Sequence, residues 1–301
     1  MAEILKLSPA FKDYIWGGSF LKTEYNVTDM DRVAEAWVLS CHKDGASTVV
    51  GGKYDGKTLS EALSELGPEA LGKNAEKFEF FPQLIKLIDA RDNLSVQVHP
   101  SDEFALENEG QYGKTEIWYI LDAVEGAGIY YGFKKKITEK QFVEHLNNNT
   151  LMDVLQFVPV KAGESYFIPS GTVHAIGKGL LIAEIQQNSN VTYRVYDFGR
   201  VGADGKPREL HVDKAKQVID FSPVEASLKN RTECEYFVTK QIKIEGNIVL
   251  CNPLSFQSVL VIEGEGILND NPIKKFDTFF VPANTATSIN GKCTLLISYI
   301  K

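Results

Sequence analysis

The chain has 301 residues, of which 44% are hydrophobic and 24% charged, and its formal net charge at pH 7 is −8. This length allows one large domain or two of ordinary size, and the composition is that of a folded globular protein. The negative charge disfavours non-specific binding to nucleic acid or to membrane surfaces, although a local cluster of Lys and Arg can still bind an anionic ligand.

The N-terminal segment and the cysteines indicate the cellular compartment. The segment MAEILKLSPAFKDYIWGG lacks the apolar core of a signal peptide, and no stretch approaches the ~20 apolar residues that span a bilayer. The cysteines are scattered without a CxxC pair, which is typical of reduced thiols rather than of a disulfide framework or a thiolate metal site. We therefore predict a cytoplasmic protein.

Short runs of β-branched and aromatic residues, separated by Gly, Pro, Asn and Asp, make up most of the chain. In chain order they include LSVQVH, EIWYIL, AGIYYGF, SYFIPS, LLIAEIQ and VTYRVYDF. Strands of this length and spacing predict an antiparallel sandwich or barrel. Helical patterns are confined to residues 58–66, 101–108, 138–155 and 212–219. The third pattern, at about 138–156, predicts an inserted helical pair with a polar Asn run as its turn.

The texture of the chain changes near residue 225. The stretch SPVEASLKNRTECE is polar and rich in turn residues, and a second all-β block follows it. We therefore predict two domains, residues 1–225 and 226–301. Within the second block, a strand broken by Gly264 and Gly266, an Asn-Asp turn and a strand ending at Pro282 echo an earlier segment, which suggests two related β-barrels in tandem.

Two potential metal ligands lie close together in the strand-like run LSVQVHP. Gln97 and His99 are two residues apart, and residues i and i+2 of a strand face the same side, so both can point at one centre. Val96 and Val98 then face the opposite side. Pro100 ends the strand just after His99, so the pair is predicted to lie at the mouth of the strand.

Glu116 lies in GKTEIWYIL, a second strand-like run in which Lys114, Glu116 and Trp118 share a face. A carboxylate inside such an apolar strand is costly to bury unless a cationic group pairs with it. A metal ion would satisfy this requirement. The alternative is a surface-facing glutamate on a half-exposed strand.

The segment AGESYFIPSGTVHAIG places Gly163, Pro169, Gly171 and His174 at the spacing G(x)5PxG(x)2H. The glycines permit tight turns, and Pro169 fixes the hairpin that presents His174. A lone His in an apolar strand is more often a core residue than a ligand, but here the turns aim it at the surface that carries His99. Such a mixed set of N and O ligands suits Zn²⁺, Fe²⁺ or Mn²⁺ and leaves room for water or substrate.

These motifs resemble those of a known family. The His174 motif matches the second cupin signature, and LSVQVHPSDEF with GKTEIWYIL resembles the first cupin motif of type I mannose-6-phosphate isomerases. IWGGSFL, AEAWVLS, PQLIKLIDA and QQNSNVTYRVYDFGR are similar to that family too, so the resemblance runs to about residue 215. It is closest to the short bacterial form, which lacks a long helical insertion. The resemblance implies two cupin-type jelly-roll barrels, the N-terminal one being catalytic.

The resemblance also implies an activity and a ligand set. It implies an isomerase that interconverts mannose 6-phosphate and fructose 6-phosphate through an enediolate, with a small sugar phosphate as its partner. One zinc ion per chain would be held by Gln97, His99, Glu116 and His174. The catalytic arginine of the family falls on Arg194.

Other polar residues near these motifs are candidates for contacts with the substrate. Lys86 and Lys114 could bind phosphate or, if desolvated, transfer a proton, and exposed strand lysines are the alternative. Ser95 could donate to a phosphate oxygen or pack near Gln97. The general base stays open, because Lys114, a glutamate or a metal-bound water could act. Arg194 is a poor base because a guanidinium keeps its proton at physiological pH.

Residues 226–301 resemble a second, degenerate cupin. When FDTFFVPANTAT is aligned on the second motif, Phe276 and Asn284 replace the two glycines, Pro282 is kept, and Thr287 replaces the His. We therefore expect a structural C-terminal barrel without a metal.

Two other functions are compatible with the same residues. Another metal-dependent cupin enzyme, such as an oxygenase, needs Fe²⁺ and an open coordination face, and this ligand set allows both. A non-catalytic sugar-phosphate-binding cupin would keep its metal without turnover. The basic residues Lys86, Lys114 and Arg194 favour a phosphorylated ligand over the substrate of an oxygenase.

Overall fold

The strand-forming runs of the sequence fold as antiparallel strands in the computed structural model, which describes residues 3–202 and 205–301. The predicted mainly β fold is confirmed. The strands are β1 (Leu5–Ser8), β2 (Ala10–Lys12), β3 (Glu35–Leu39), β4 (Thr48–Val50), β5 (Gln83–Ala90), β6 (Val96–Val98), β7 (Glu116–Ala123), β8 (Gly128–Phe133), β9 (Leu155–Pro159), β10 (Ser165–Ile168), β11 (His174–Ile176), β12 (Leu180–Gln187), β13 (Tyr193–Tyr196), β14 (Val238–Leu250), β15 (Gln257–Leu268), β16 (Asn271–Lys274), β17 (Thr278–Val281) and β18 (Thr287–Tyr299).

All four segments with helical patterns form helices, and one further short helix had no periodic signal. The α-helices are α1 (Phe20–Glu24), α2 (Leu59–Leu66), α3 (Asp102–Glu109), α4 (Glu139–Asn147), α5 (Leu151–Val154) and α6 (Val212–Val218), and short 3-10 helices span Pro68–Ala70, Lys73–Ala75 and Ala226–Leu228. The predicted helical pair is α4 and α5, separated by Asn149 in the left-handed conformation (φ 57°). No helix in residues 3–202 or 205–301 is long and apolar enough to cross a membrane.

The chain forms two compact units. The terminal unit, as we call it, comprises residues 3–10, 37–86 and 232–301, and the central unit comprises 11–36 and 87–231. Residues near the N-terminus join the C-terminal block because β1 pairs with β17 and with β4. The pattern of strand-forming residues carries no signal for such long-range pairing. The predicted division into domains 1–225 and 226–301 stays a prediction.

One antiparallel sheet organises the terminal unit. Its strand order is β14-β18-β15-β17-β1-β4, and β16 pairs with β15 alone. The predicted Asn-Asp turn between β15 and β16 is present, and Asn269 and Asp270 both have positive φ (40° and 64°), as tight hairpin turns require. Inward side chains of β15, β17 and β18, such as Val261, Phe279 and Leu295, form its core.

Two sheets face each other in the central unit. One has the order β13-β6-β11-β8-β9, and the other contains β10, β7 and β12 followed by the parts of β5, β3 and β2 that belong to this unit. Apolar side chains from both sheets pack in one core, including Trp118 and Ile182 from one sheet and Ile129 and Ile176 from the other. Polar side chains on these inner faces are therefore buried between the sheets.

Helices cover the outer face of the five-stranded sheet. Val96 and Val98 of β6 pack there against Phe142 of α4, Leu151 of α5 and Ala215 of α6. Since side chains alternate along a strand, this packing turns the residue between the two valines, the predicted ligand at position 97, to the inner face.

The repeat is visible in the backbone of both units. Strands β10 and β17 occupy equivalent positions of the aligned motif, and β11 begins at His174 where β18 begins at Thr287. Gly163 and Gly171 have φ of 88° and 85°, and the aligned Phe276 and Asn284 also have positive φ, 68° and 57°. The left-handed turns of the motif therefore persist where glycine does not.

The helical cover makes a direct prediction about stability. The ring of Phe142 is fully buried and packs edge-on against Phe133 and Phe221. Phe142→Ala should lower the free energy of unfolding by about 3–5 kcal/mol, because it removes buried apolar area and leaves a cavity. The shift of the urea midpoint measures the loss. Lys140→Ala on the exposed face of the same helix is the control, and equal midpoints for both variants would contradict this packing.

Candidate metal centre

Three side chains from the two sheets of the central unit converge between them. His99 follows β6, His174 begins β11 and Glu116 begins β7 on the opposite sheet. One ligand atom from each lies within 4.8 Å of the other two, and all three side chains are buried. We call these residues the metal cluster. The sequence predicted all three as ligands, and the surface-facing alternative for Glu116 is wrong.

Backbone carbonyls fix the orientation of both imidazoles. Nδ1 of His99 lies 2.8 Å from the carbonyl of Val191, and Nδ1 of His174 lies 2.9 Å from that of Thr172. A carbonyl can only accept a hydrogen bond, so each ring donates from Nδ1, and in the neutral ring the lone pair is then on Nε2, which faces the cluster. This is the tautomer that binds a metal through Nε2.

The protonation state of His174 also suits a metal ligand. Burial lowers the pKa of His174 to about 4, so its imidazole is neutral at physiological pH. Its Nε2 has no hydrogen-bond partner among the described residues. The Glu116 oxygens lie 3.4 Å from Nε2 of His99 and 3.8 Å from Nε2 of His174. A buried lone pair beside a fully buried carboxylate fits a divalent cation with N and O ligands.

Gln97 lies beside the metal cluster in the five-stranded sheet. It is directly opposite His174 of β11 on one side and Arg194 of β13 on the other. Directly opposed residues of antiparallel strands present their side chains on the same face. Gln97, His174 and Arg194 therefore form one row on the inner face, as the sequence pattern requires of a ligand. The role of Gln97 as a ligand stays a prediction.

Lys114 is in direct contact with the metal cluster. Its Nζ lies 2.5 Å from Oε1 of Glu116, 3.2 Å from Nε2 of His99 and 3.8 Å from Oε1 of Glu184. Its side chain is only 4% exposed, and that of Lys86 in the terminal unit is 3% exposed. The exposed-lysine alternative is therefore wrong for both. The ammonium of Lys86 lies 4.9 Å above the ring of Trp37.

Sequence reasoning missed two buried polar side chains on β12. Glu184 accepts a hydrogen bond of 2.9 Å from Nε1 of Trp118, whose ring packs edge-on against that of His174 at 5.2 Å. Gln186 lies directly opposite Glu116, and its Nε2 donates to two backbone carbonyls. The signal was present, because both residues share one face of the otherwise apolar run LLIAEIQQ.

Arg194 lies at the far end of the row that contains Gln97. Its Nε donates to the hydroxyl of Ser95 at 3.2 Å, and one terminal nitrogen donates to the carbonyl of Glu209 at 2.9 Å. Its backbone N–H donates to Nδ1 of His211 at 3.3 Å. Ser95 is 4% exposed and retains its own hydroxyl proton for a further acceptor.

Two further arginines, also missed from the sequence, lie near Arg194 around one carboxylate. Arg208 and Arg200 bind Asp197 at 2.6 and 2.5 Å, and Arg200 also donates to the carbonyl of Asn93. Burial and the guanidinium groups of Arg208 and Arg200 lower the pKa of Arg194. Burial alone would raise the pKa of Asp197, but hydrogen bonds from both arginines outweigh it and lower that pKa. Two guanidiniums thus bind one carboxylate, and a third, that of Arg194, is close enough for these charges to shift its pKa. We call the three arginines the arginine cluster.

The chain resembles known proteins over nearly its whole length. Residues 4–120 match the family described as phosphomannose isomerase type I, catalytic domain, and residues 227–300 match the mannose-6-phosphate isomerase cupin domain. The chain is 36% identical to the mannose-6-phosphate isomerase ManA of Bacillus subtilis, and the alignment covers 99% of each protein.

Solved structures agree with the sequence matches. The crystal structure of the mannose 6-phosphate isomerase from Bacillus subtilis is 38% identical, has a TM-score of 0.92 and covers 99% of this chain and 100% of that one. A mannose 6-phosphate isomerase bound with zinc and yttrium shares the fold at 17% identity, with a TM-score of 0.77 and 100% of both chains covered. Relatives that are 36–38% identical match 99% of this chain. The protein therefore belongs to the type I phosphomannose isomerase family, a family of isomerases.

Proposed function

We propose that the protein is a zinc-dependent isomerase that interconverts mannose 6-phosphate and fructose 6-phosphate. The observation that carries the proposal is the metal cluster, in which one ligand atom from each of two imidazoles and a buried carboxylate lies close to the other two. The family of the chain supplies the reaction class and the substrate, because its relatives are named for this activity.

Gln97, His99, Glu116 and His174 would hold the metal. This set of N and O ligands without thiolates suits zinc in a catalytic site. Bound zinc would polarise the oxygens on C1 and C2 of the sugar and stabilise negative charge that develops on them. The protein's own contribution is rigidity, because the backbone carbonyls that hold both imidazoles also fix their orientation.

The isomerisation moves a proton between C1 and C2 through an enediolate and therefore needs a group that accepts and returns it. Lys114 is the candidate that the contacts support, since its amine lies within the buried site and touches Glu116. Its ammonium would donate, and its neutral amine would accept. Arg194 keeps its proton throughout and contributes positive charge beside the developing enediolate.

The phosphate of the substrate would bind at the arginine cluster, through Arg200 and Arg208. Three guanidiniums lie near two carboxylates, Asp197 and the exposed Glu209, so the cluster keeps an excess of positive charge that favours a phosphate. Guanidinium groups match the geometry of phosphate oxygens through paired hydrogen bonds. Ser95 already accepts a hydrogen bond from Arg194, and its hydroxyl could donate a hydrogen bond to the same phosphate. The prediction of Ser95 as a substrate contact is part of this proposal. The role of Lys86 in binding the substrate stays a separate prediction.

The cytoplasmic location is proposed as well. Its support is the state of the cysteines, since Cys41, Cys234, Cys251 and Cys293 are all free thiols in the structure. Free thiols persist in the reducing cytosol. Cell fractionation with an antibody against the chain tests the location, and recovery in an extracellular fraction would contradict it.

Removal of one histidine ligand tests the metal and the activity together. His174→Ala should lose bound zinc and lower the rate of mannose 6-phosphate conversion by at least about a thousandfold, because one of the metal's ligands is gone. His145→Ala on helix α4 is the matched control and should keep both. Metal content by mass spectrometry and a coupled assay with and without chelator are the measurements. A full zinc equivalent in His174→Ala would refute the ligand assignment.

The same assay separates the two other functions considered for these ligands. Bound iron with oxygen uptake would indicate an oxygenase, and tight binding of sugar phosphate without turnover would indicate a binding protein. Either result would contradict the proposed isomerase.

Substitution in the arginine cluster tests the phosphate site. Arg208→Met should raise KM for mannose 6-phosphate by about tenfold or more and change kcat less, because the lost contact is made equally in the ground state and the transition state. Arg91→Met, which replaces an exposed arginine of the central unit, is the control. If KM were unchanged in Arg208→Met, or changed as much in Arg91→Met, the phosphate would bind elsewhere.

A further inference from the structure

The ammonium of Lys114 uses the same atoms that the proposed metal would use. It lies 3.2 Å from Nε2 of His99, within hydrogen-bond distance, and forms an ion pair of 2.5 Å with Oε1 of Glu116, and both atoms are prospective ligand atoms. His174 is the third member of the metal cluster, and its Nε2 has no hydrogen-bond partner among the described residues. The ammonium of Lys114 is thus a cation in contact with two of the three prospective ligands.

The two cations cannot share Nε2 of His99. A neutral imidazole has one lone pair on Nε2, which either accepts a hydrogen bond or coordinates a metal. A divalent ion bound to His99 therefore ends the hydrogen bond from Lys114. It would also repel an ammonium held 2.5 Å from Glu116, because both cations would lie within a few ångström of each other in a buried site. Metal binding thus requires the ammonium to move.

Glu184 provides the place to which the ammonium can move. Its Oε1 lies 3.8 Å from Nζ of Lys114, so a displacement of about 1 Å forms a hydrogen bond of ordinary length. The lysine side chain has four rotatable bonds and permits such a shift. Glu184 itself is 3% exposed, and Nε1 of Trp118 holds its other oxygen at 2.9 Å. The carboxylate is therefore fixed in position before the ammonium arrives.

We propose that Lys114 competes with the metal for the cluster and that Glu184 is a positioning residue that accepts the displaced ammonium. This inference rests on the proposed metal site. With Glu184 in place, the buried site sets two carboxylates against the three positive charges of a dication and an ammonium, which leaves an excess of one. Without it, the displaced ammonium would be buried beside a dication with no carboxylate of its own, and buried unpaired charges are strongly disfavoured.

A double-mutant cycle on zinc affinity tests the proposal. The full chain is stripped of metal, and zinc is titrated at one fixed pH in competition with a chromophoric chelator. The set comprises the wild type, Lys114→Met, Glu184→Gln and the double variant. Lys114→Met should bind zinc about tenfold more tightly because the competing ammonium is gone, and Glu184→Gln about tenfold more weakly because the ammonium has no acceptor. In the Lys114→Met background, Glu184→Gln should weaken zinc binding by less than about threefold.

Two results would overturn the proposal. The first is weaker zinc binding by Lys114→Met, which would mean that the ammonium does not compete. The second is an equal loss on Glu184→Gln in both backgrounds, which would mean that Glu184 acts by its own charge or by holding Trp118. A wild type that binds no zinc would instead refute the metal site and with it the proposed function, so the two failures are distinguishable.

Two controls keep the cycle interpretable. Lys229→Met breaks a 2.7 Å ion pair with Glu164 elsewhere in the central unit and should leave zinc affinity unchanged. Circular dichroism and thermal unfolding verify that each variant is folded before titration. If Lys114→Met fails to fold, Lys114→Gln replaces it in the cycle, since it also removes the charge and retains a polar end for the buried position.

Discussion

The carboxylate of Glu116 imposes the constraint on which the rest of the site depends. It is completely buried between two apolar sheets, where an ionised group without a cationic partner would be strongly destabilising. The protein answers with an ammonium from Lys114, and two imidazoles whose other nitrogens donate to backbone carbonyls are placed to hold a cation beside the same carboxylate. Every member of the site is therefore placed either to neutralise this charge or to hold a group that does.

The sheets determine where these groups lie. His99 and His174 come from neighbouring strands of one sheet and Glu116 from the other, so the cluster exists only when the two sheets pack face to face. The helices α4, α5 and α6 pack on the valines of β6 at the outer face of the sheet and so fix the orientation of that strand. A substitution in that helical cover can therefore disturb the site without touching it, through the alternation of side chains along a strand.

The sequence was sufficient for the groups that carry a local signal and insufficient for those that do not. His174 follows from a turn motif, and Gln97 and His99 from a two-residue spacing in a strand. Glu184 was missed although it lies in an apolar strand as Glu116 does, because no recognised motif contains it, and Arg208 was missed because nothing in the sequence shows that its guanidinium binds Asp197. The pairing of β1 with β17 is equally invisible, since strand propensity specifies an extended backbone and not its partner.

The C-terminal repeat shows that the turn geometry and the ligand are separable. Phe276 keeps a left-handed φ of 68°, a conformation that costs a bulky residue about 1–3 kcal/mol and that its burial in the core compensates. The backbone thus still presents position 287 as it presents His174. What differs is the neighbourhood, because Thr287 faces Leu250 across the strands where His174 faces Gln97. A ligand at one position cannot bind a metal by itself, so selection could discard the histidine while the fold continued to need the turn.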